Sequence, residues 1–147
     1  MDVLSLARKF KSKYPLTVAW RLKSNSNVVE RHLNPEEEVK YVFVGQKNNR
    51  FYDLFSTGVI AITNKRILIG RKRVLFGYQL DSIMPYMYND LNIRAGLIWG
   101  KLTIDTIKEE IVFSNLDKAS LDEIETNISE AMMTLKKKYP KEEKIEK

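Results

Sequence analysis

Apolar positions at the start of the chain recur every three or four residues. Val3, Leu6, Ala7, Phe10 and Tyr14 fall on one side of a helix predicted over residues 2–13. Arg8, Lys9, Lys11 and Lys13 lie off that stripe, and Pro15 stops the helix. A short basic amphipathic helix of this kind can lie on a membrane, but its apolar face more often docks on its own domain. The pattern weakens over residues 16–35. Residues 16–22 read as either strand or loop, and Asn25-Ser26-Asn27 is expected to cap a short helix through Leu33, ended by Asn34-Pro35.

From Glu38 the period drops to two. Residues 39–44 alternate, with Tyr41 and Phe43 on one side and Val42 and Val44 on the other. A polar loop is expected over residues 46–50. Residues 58–63 form a continuous apolar run rich in β-branched side chains, the signature of a strand covered on both faces. Thr63-Asn64-Lys65 makes the next turn, in which Asn tolerates a left-handed backbone. Further strands are predicted over residues 66–70, 74–80, 86–94, 97–105 and 109–113. Arg71-Lys72-Arg73 and Asp81-Ser82-Ile83 serve as turns, and Ala95-Gly96 as a hairpin turn. Phe76 and Tyr78 are expected to share one face of the 74–80 strand. Ile98, Leu102, Ile104, Ile111 and Phe113 are expected to face the core.

The last element is the most regular. Leu121, Ile124, Ile128, Met132 and Leu135 lie on one helical face. Ser120 and Glu123 have capping-box spacing, and Lys136-Lys137-Lys138 suit the C-terminal end of a helix dipole before Pro140. Seven short strands in a row with no helix between them predict a mainly β, α+β domain. It is a seven-strand antiparallel sandwich or partly open barrel, capped by the C-terminal amphipathic helix and preceded by an extra N-terminal helical segment.

At 147 residues the chain suits a single domain with a sizeable core. No apolar run approaches a membrane span, and Met1-Asp2-Val3-Leu4 does not begin a signal peptide. Together with the absence of Cys, this favours the cytoplasm, with membrane association left open, and removes thiolate chemistry. The net charge of +6 is unevenly spread. Residues 1–80 carry 15 Lys and Arg against 6 Asp and Glu, while residues 81–147 carry 10 against 13. A basic face could meet an anionic partner, and an ordinary solvated charge pattern explains the same numbers about as well.

No catalytic constellation is present in the sequence. His32 is the one histidine and has no recognisable nucleophile nearby. A metal site built from His32 and Glu36-Glu37-Glu38 is weak, because adjacent carboxylates point different ways. The stretch from Gly96 to Thr103 is one residue short of a phosphate-loop spacing and has Leu102 where Ser or Thr should hold magnesium. Gly96 instead serves a hairpin, and Gly100 a bend or bulge. No enzyme, cofactor or metal is expected.

The most informative polar feature is basic. Lys65 and Arg66 occupy one turn, and Arg71, Lys72 and Arg73 the next. The strand between them spans roughly 16 Å, so these are two patches at opposite ends of the sheet. Arg71-Lys72-Arg73 is the better candidate for an anionic ligand or membrane contact, because an exposed hairpin tip reaches outward. Basic turn residues also serve simply to solvate an edge.

Gly58-Val59-Ile60-Ala61-Ile62-Thr63-Asn64-Lys65-Arg66-Ile67-Leu68-Ile69 resembles the G-x-L-x-x-T-N-x-R-L-L signature of bacterial pleckstrin-homology-like domains. Upstream, Leu33-Asn34-Pro35-Glu36 with Glu38-Val39 resembles the L-x-x-G-E-x-V lead-in of that family, with Glu36 in place of Gly. The downstream Leu80-Asp81-Ser82-Ile83, Tyr86 and the Gly96–Thr103 hairpin follow the same course, so the resemblance covers about residues 33–135. It implies a strongly bent seven-strand sandwich closed by a C-terminal helix, with Thr63 and Asn64 as the structural turn motif. Eukaryotic relatives often bind phosphoinositides through a first-hairpin loop. The basic tip here lies in a later hairpin, so that role does not carry over. Bacterial relatives mostly lack a defined ligand, and some form homo-oligomers.

The expected organisation is an N-terminal helical extension over residues 1–32, a PH-like domain over 33–138 and a charged disordered tail over 139–147. The leading functional expectation is a non-catalytic interaction module that self-associates or docks on a protein partner. The alternative is peripheral binding to anionic lipid head groups through the basic hairpin tip. Weak nucleic-acid binding stands third and is unlikely, because no recognised motif accompanies the aromatics.

Overall fold

The structure is a computed structural model that describes residues 2–48, 56–73 and 76–139. Its first element, α1 (Val3–Lys13), starts at Asp2, whose carboxylate accepts the Ser5 amide at 2.8 Å. Val3, Ala7 and Phe10 form the buried stripe that the spacing predicted. A second helix, α2 (Leu22–Arg31), follows an irregular linker. Here the prediction needs correction. Asn25 and Ser26 do not cap this helix; they lie within it and are buried. Their polar side chains argued for a cap, and tertiary packing overrode that local preference.

Seven strands follow: β1 (Val39–Gln46), β2 (Thr57–Thr63), β3 (Ile67–Lys72), β4 (Tyr78–Ile83), β5 (Tyr88–Ala95), β6 (Trp99–Thr106) and β7 (Glu110–Asp117). They pair antiparallel in the order β4-β3-β2-β1-β7-β6-β5. β1 and β7 share the single pair Gln46↔Ser114, so the sheet curls sharply there into a half-barrel. The helix α3 (Leu121–Lys138) closes it and buries Leu121, Ile124, Ile128, Met132 and Leu135. Phe43 and Phe113 meet edge-on at 5.6 Å in the middle of the core.

The N-terminal helices explain why β2 reads as apolar on both faces. All seven of its residues are buried. α1 lies along β1, and α2 lies across β3 and β2, with its Val29 packed into the core cluster. A Cβ added to Gly70 would sit 2.7 Å from Val29 Cγ2 and 3.2 Å from the Asn25 carbonyl, so this glycine lets α2 approach the sheet. α1 is also tied to the far helix. Glu123 on α3 accepts Lys13 Nζ at 2.6 Å, Tyr14 OH at 3.0 Å and Tyr41 OH at 2.8 Å. Burial opposes the charge on Glu123, yet those three donors hold its carboxyl below the usual range.

Several local expectations shift. Glu123 is spent on this cluster, and Ser120 Oγ donates to the Asp117 carbonyl, so no capping box forms. Asp81-Ser82-Ile83 belongs to β4, which begins only at Tyr78. Phe76 therefore falls in the tip and is 83% exposed. Val74 and Leu75 lie outside the described residues, as do residues 49–55 and 140–147. Asn64 does not take a left-handed backbone; its side chain accepts the Glu38 amide at 2.8 Å. Ile98 is not in the core but at an exposed hairpin tip. Gly100 stands at a register shift beneath Leu121, consistent with the expected bulge.

Candidate functional site

β3 places the two basic turns at its opposite ends, and the structure treats them differently. At the β2–β3 turn, Arg66 is spent on structure. Its guanidinium donates to Glu37 Oε2 from Nε (2.9 Å) and to Glu37 Oε1 from Nη2 (3.0 Å). It also reaches Ser82 Oγ and the His32 carbonyl. The Glu37 side chain has no exposed surface. Thr63 Oγ1 donates to it at 2.6 Å, and the Asn34 amide at 3.1 Å. Burial disfavours the Glu37 charge, but these donors outweigh it and keep the carboxyl below its ordinary range. Thr63 Oγ1 also accepts the Lys65 and Arg66 amides, and Asn64 holds the backbone of the Glu36–Glu38 segment. The Thr-Asn-Lys-Arg motif is thus a partly buried staple, closed on the buried Glu37, between the lead-in to β1 and the β2–β3 turn. Lys65 leans on Tyr139, 5.8 Å from its ring centre.

The β3–β4 tip is built the other way. The Arg73 amide donates to the Gly77 carbonyl at 3.1 Å, and Gly77 takes φ +69°, which suits glycine. The N-terminal extension then supports the tip from behind. Asn25 Oδ1 accepts the Lys72 amide at 2.8 Å, while its Nδ2 donates to the Thr57 and Trp20 carbonyls at 3.1 and 3.2 Å. Arg21 stands just before α2 in a left-handed conformation (φ 55°, ψ 42°), which costs about 1–2 kcal/mol for a residue with a Cβ. Its guanidinium forks onto the carbonyls of Lys72 (2.9 Å) and Arg73 (3.3 Å). Arg71 donates to Gln79 Oε1 across the strand pair at 3.0 Å.

Three cations, Arg21, Lys72 and Arg73, are therefore gathered at one end of the sheet. None of them is ion-paired among the described residues. Phe76 stands beside them, and Trp20, next to Arg21, is 48% exposed. The sequence pointed to Arg71, Lys72 and Arg73. It did not point to Arg21, whose contacts lie 51 and 52 residues away and which no local motif marks.

The remaining polar candidates are engaged in packing. His32 Nδ1 lies 2.6 Å from the Val28 carbonyl and Nε2 lies 3.2 Å from Tyr78 OH, so the ring bridges α2 to β4. Glu37 is bound by Arg66. Among the described residues no group of three metal-ligating side chains comes together, and no helix is long and apolar enough to cross a membrane.

A family model described as Bacterial PH domain matches residues 33–130. Among solved structures, the chain is similar to the crystal structure of a pleckstrin homology domain from Shewanella amazonensis SB2B. The identity is 14% over 71% of this chain and 85% of that one, with a TM-score of 0.45. No curated protein matches.

Proposed function

We infer the function from the family: this chain belongs to the bacterial PH domains, a generally non-catalytic kind of binding module. Beyond that, we propose that it attaches weakly to anionic membrane surfaces through the β3–β4 tip. The observation that carries the reading is the Arg21 fork. A strained arginine from the N-terminal extension holds the tip carbonyls of Lys72 and Arg73, and Arg73, Phe76 and Trp20 are exposed. The strained backbone at Arg21 supports this reading, because such strain clusters at functional sites.

The apolar stripe of α1 is spent on its own domain, so it offers no free apolar face to a partner or a membrane. For the lipid reading the magnitudes are modest. Three cations at about 1 kcal/mol each give about 3 kcal/mol, screened over a Debye length of about 10 Å at 0.1 M salt. The exposed aromatics add an apolar contribution at the interface.

The test is co-sedimentation with vesicles of phosphatidylcholine alone and of phosphatidylcholine mixed with phosphatidylglycerol, across a salt series. Wild type is expected to bind the mixed vesicles at low salt and to release as salt rises. The Lys72→Glu/Arg73→Glu variant, its fold checked by circular dichroism, is expected to lose most of that binding. Equal binding to both vesicle types, or a variant that binds like wild type, overturns the proposal.

A further inference from the structure

The curled sheet ends in two edge strands, β4 and β5. Among the described residues, no strand pairs with the outer edge of β5. The Gly96 amide donates to the Trp99 carbonyl at 2.8 Å, which makes that pair a hydrogen-bonded one. The register runs on through Arg94↔Lys101, Asn92↔Thr103 and Asp90↔Asp105. Hydrogen-bonded pairs alternate in an antiparallel ladder, so residues 90, 92 and 94 turn their backbone groups toward β6. Those of Leu91, Ile93 and Ala95 point outward. Of these, the Leu91 amide is met by its neighbour, Asp90 Oδ1, at 2.8 Å.

The side chains alternate with the same period. Leu91 and Ile93 pack against the core, while Asp90, Asn92 and Arg94 are exposed on the other face. The segment is self-complementary when read backwards. If a second β5 is laid antiparallel about Asn92, Leu91 pairs with Ile93 of the second copy through their outward backbone groups. Asp90 then stands opposite Arg94 of the second copy, and Arg94 opposite its Asp90. Both charge pairs fall at non-hydrogen-bonded positions, where side chains approach most closely. A parallel pairing would set like charge against like.

The hairpin tip beyond Ala95 adds a second, independent feature. Leu97 and Ile98 occupy corner positions that usually go to Gly, Asn, Asp or Pro. Leu97 is 92% exposed, and Ile98 and Trp99 are 46% and 43% exposed. Local turn chemistry gives no reason for such residues there.

We propose that β5 is a self-association edge: two copies of this chain join antiparallel along β5 about a two-fold axis at Asn92. The occupant is a second copy because the charges of the edge complement themselves. Two short strands and a tip bury less than the roughly 1,000 Å² of a firm interface, so the dimer is weak and concentration-dependent. It uses a different edge of the sheet from the basic tip and does not depend on membrane binding.

Sedimentation velocity of the full chain over a wide concentration range tests it, with three surface variants. Wild type is expected to shift from monomer to dimer as concentration rises. Asp90→Arg places Arg against Arg, and Arg94→Asp places Asp against Asp, so each alone weakens association at least tenfold. An equimolar mixture of the two single variants restores both opposite-charge pairs and is expected to form heterodimers. The double variant likewise recovers. A wild type that stays monomeric throughout, or single variants that associate like wild type, overturns the proposal. So does a mixture that behaves as the sum of its two monomers.

Discussion

Glu37→Gln removes one charge from the buried staple while keeping its shape. The carboxylate has no exposed surface and accepts four donors at 2.6 to 3.1 Å. The amide cannot accept from all four, because in either orientation its NH2 group turns a donor toward one Arg66 N–H and toward either the Thr63 hydroxyl or the Asn34 amide. The guanidinium, only 17% exposed, then keeps its charge without a counterion. Breaking a buried pair from one side costs about 3–5 kcal/mol. For a chain of this size each kcal/mol moves Tm by roughly 2–4 °C, so the variant should melt about 10 °C lower near neutral pH. The pH dependence carries the sharper test. The folded pKa of Glu37 lies below its unfolded value, so its contribution is present above about pH 4.3 and is lost as pH falls through the folded pKa. The gap between wild type and Glu37→Gln should therefore narrow as pH falls below about 4.3. Thermal melts followed by circular dichroism at several pH values measure it. A gap below about 2 °C at neutral pH, or one that stays constant as the carboxyl protonates, would refute the staple.

Other outcomes follow from the N-terminal extension. Gly70→Ala puts a Cβ 2.7 Å from Val29 Cγ2, so α2 must lift; urea titration should show a loss of about 1–3 kcal/mol, and a neutral result means the helix is not tightly docked. Asn25→Ala orphans the Lys72 amide and the Thr57 carbonyl, costing about 2–4 kcal/mol and speeding hydrogen exchange at Lys72; unchanged exchange there would remove α2 from the support of the tip. Glu123→Gln loosens α1 from α3, so protection should fall first within residues 3–14; uniform loss across the domain would contradict that.

Much of the architecture was legible because it follows from period. Strands alternate at two, the last helix at three and four, and the apolar run over residues 58–63 announced a cover on both faces of its strand. What covered it was harder to read. α2 contains Leu22, Val28 and Val29 but buries Asn25 and Ser26, whose polarity argued for a cap. Asn25 is tolerated inside because its amide serves two carbonyls and a strand amide that lie far off in sequence. Ile98 was placed in the core by alternation, and the hairpin turned two residues later than Gly96 alone suggested. Two of the three gathered cations, Lys72 and Arg73, were visible in the Arg71-Lys72-Arg73 run. Arg21 was not, since its role exists only once α2 has docked. Arg66 looked like part of the same chemistry, and only its contacts with Glu37 separate it.

The central claim is that the β3–β4 tip, braced by Arg21 and Asn25, is the surface that meets an anionic membrane. Hydrogen exchange with and without phosphatidylglycerol-containing vesicles tests it most directly. Vesicle-dependent protection is expected around residues 20–25 and 71–78, disappearing at high salt, with β5 unchanged at fixed protein concentration. Protection confined to other elements, or none at a vesicle concentration where the protein sediments, would contradict it.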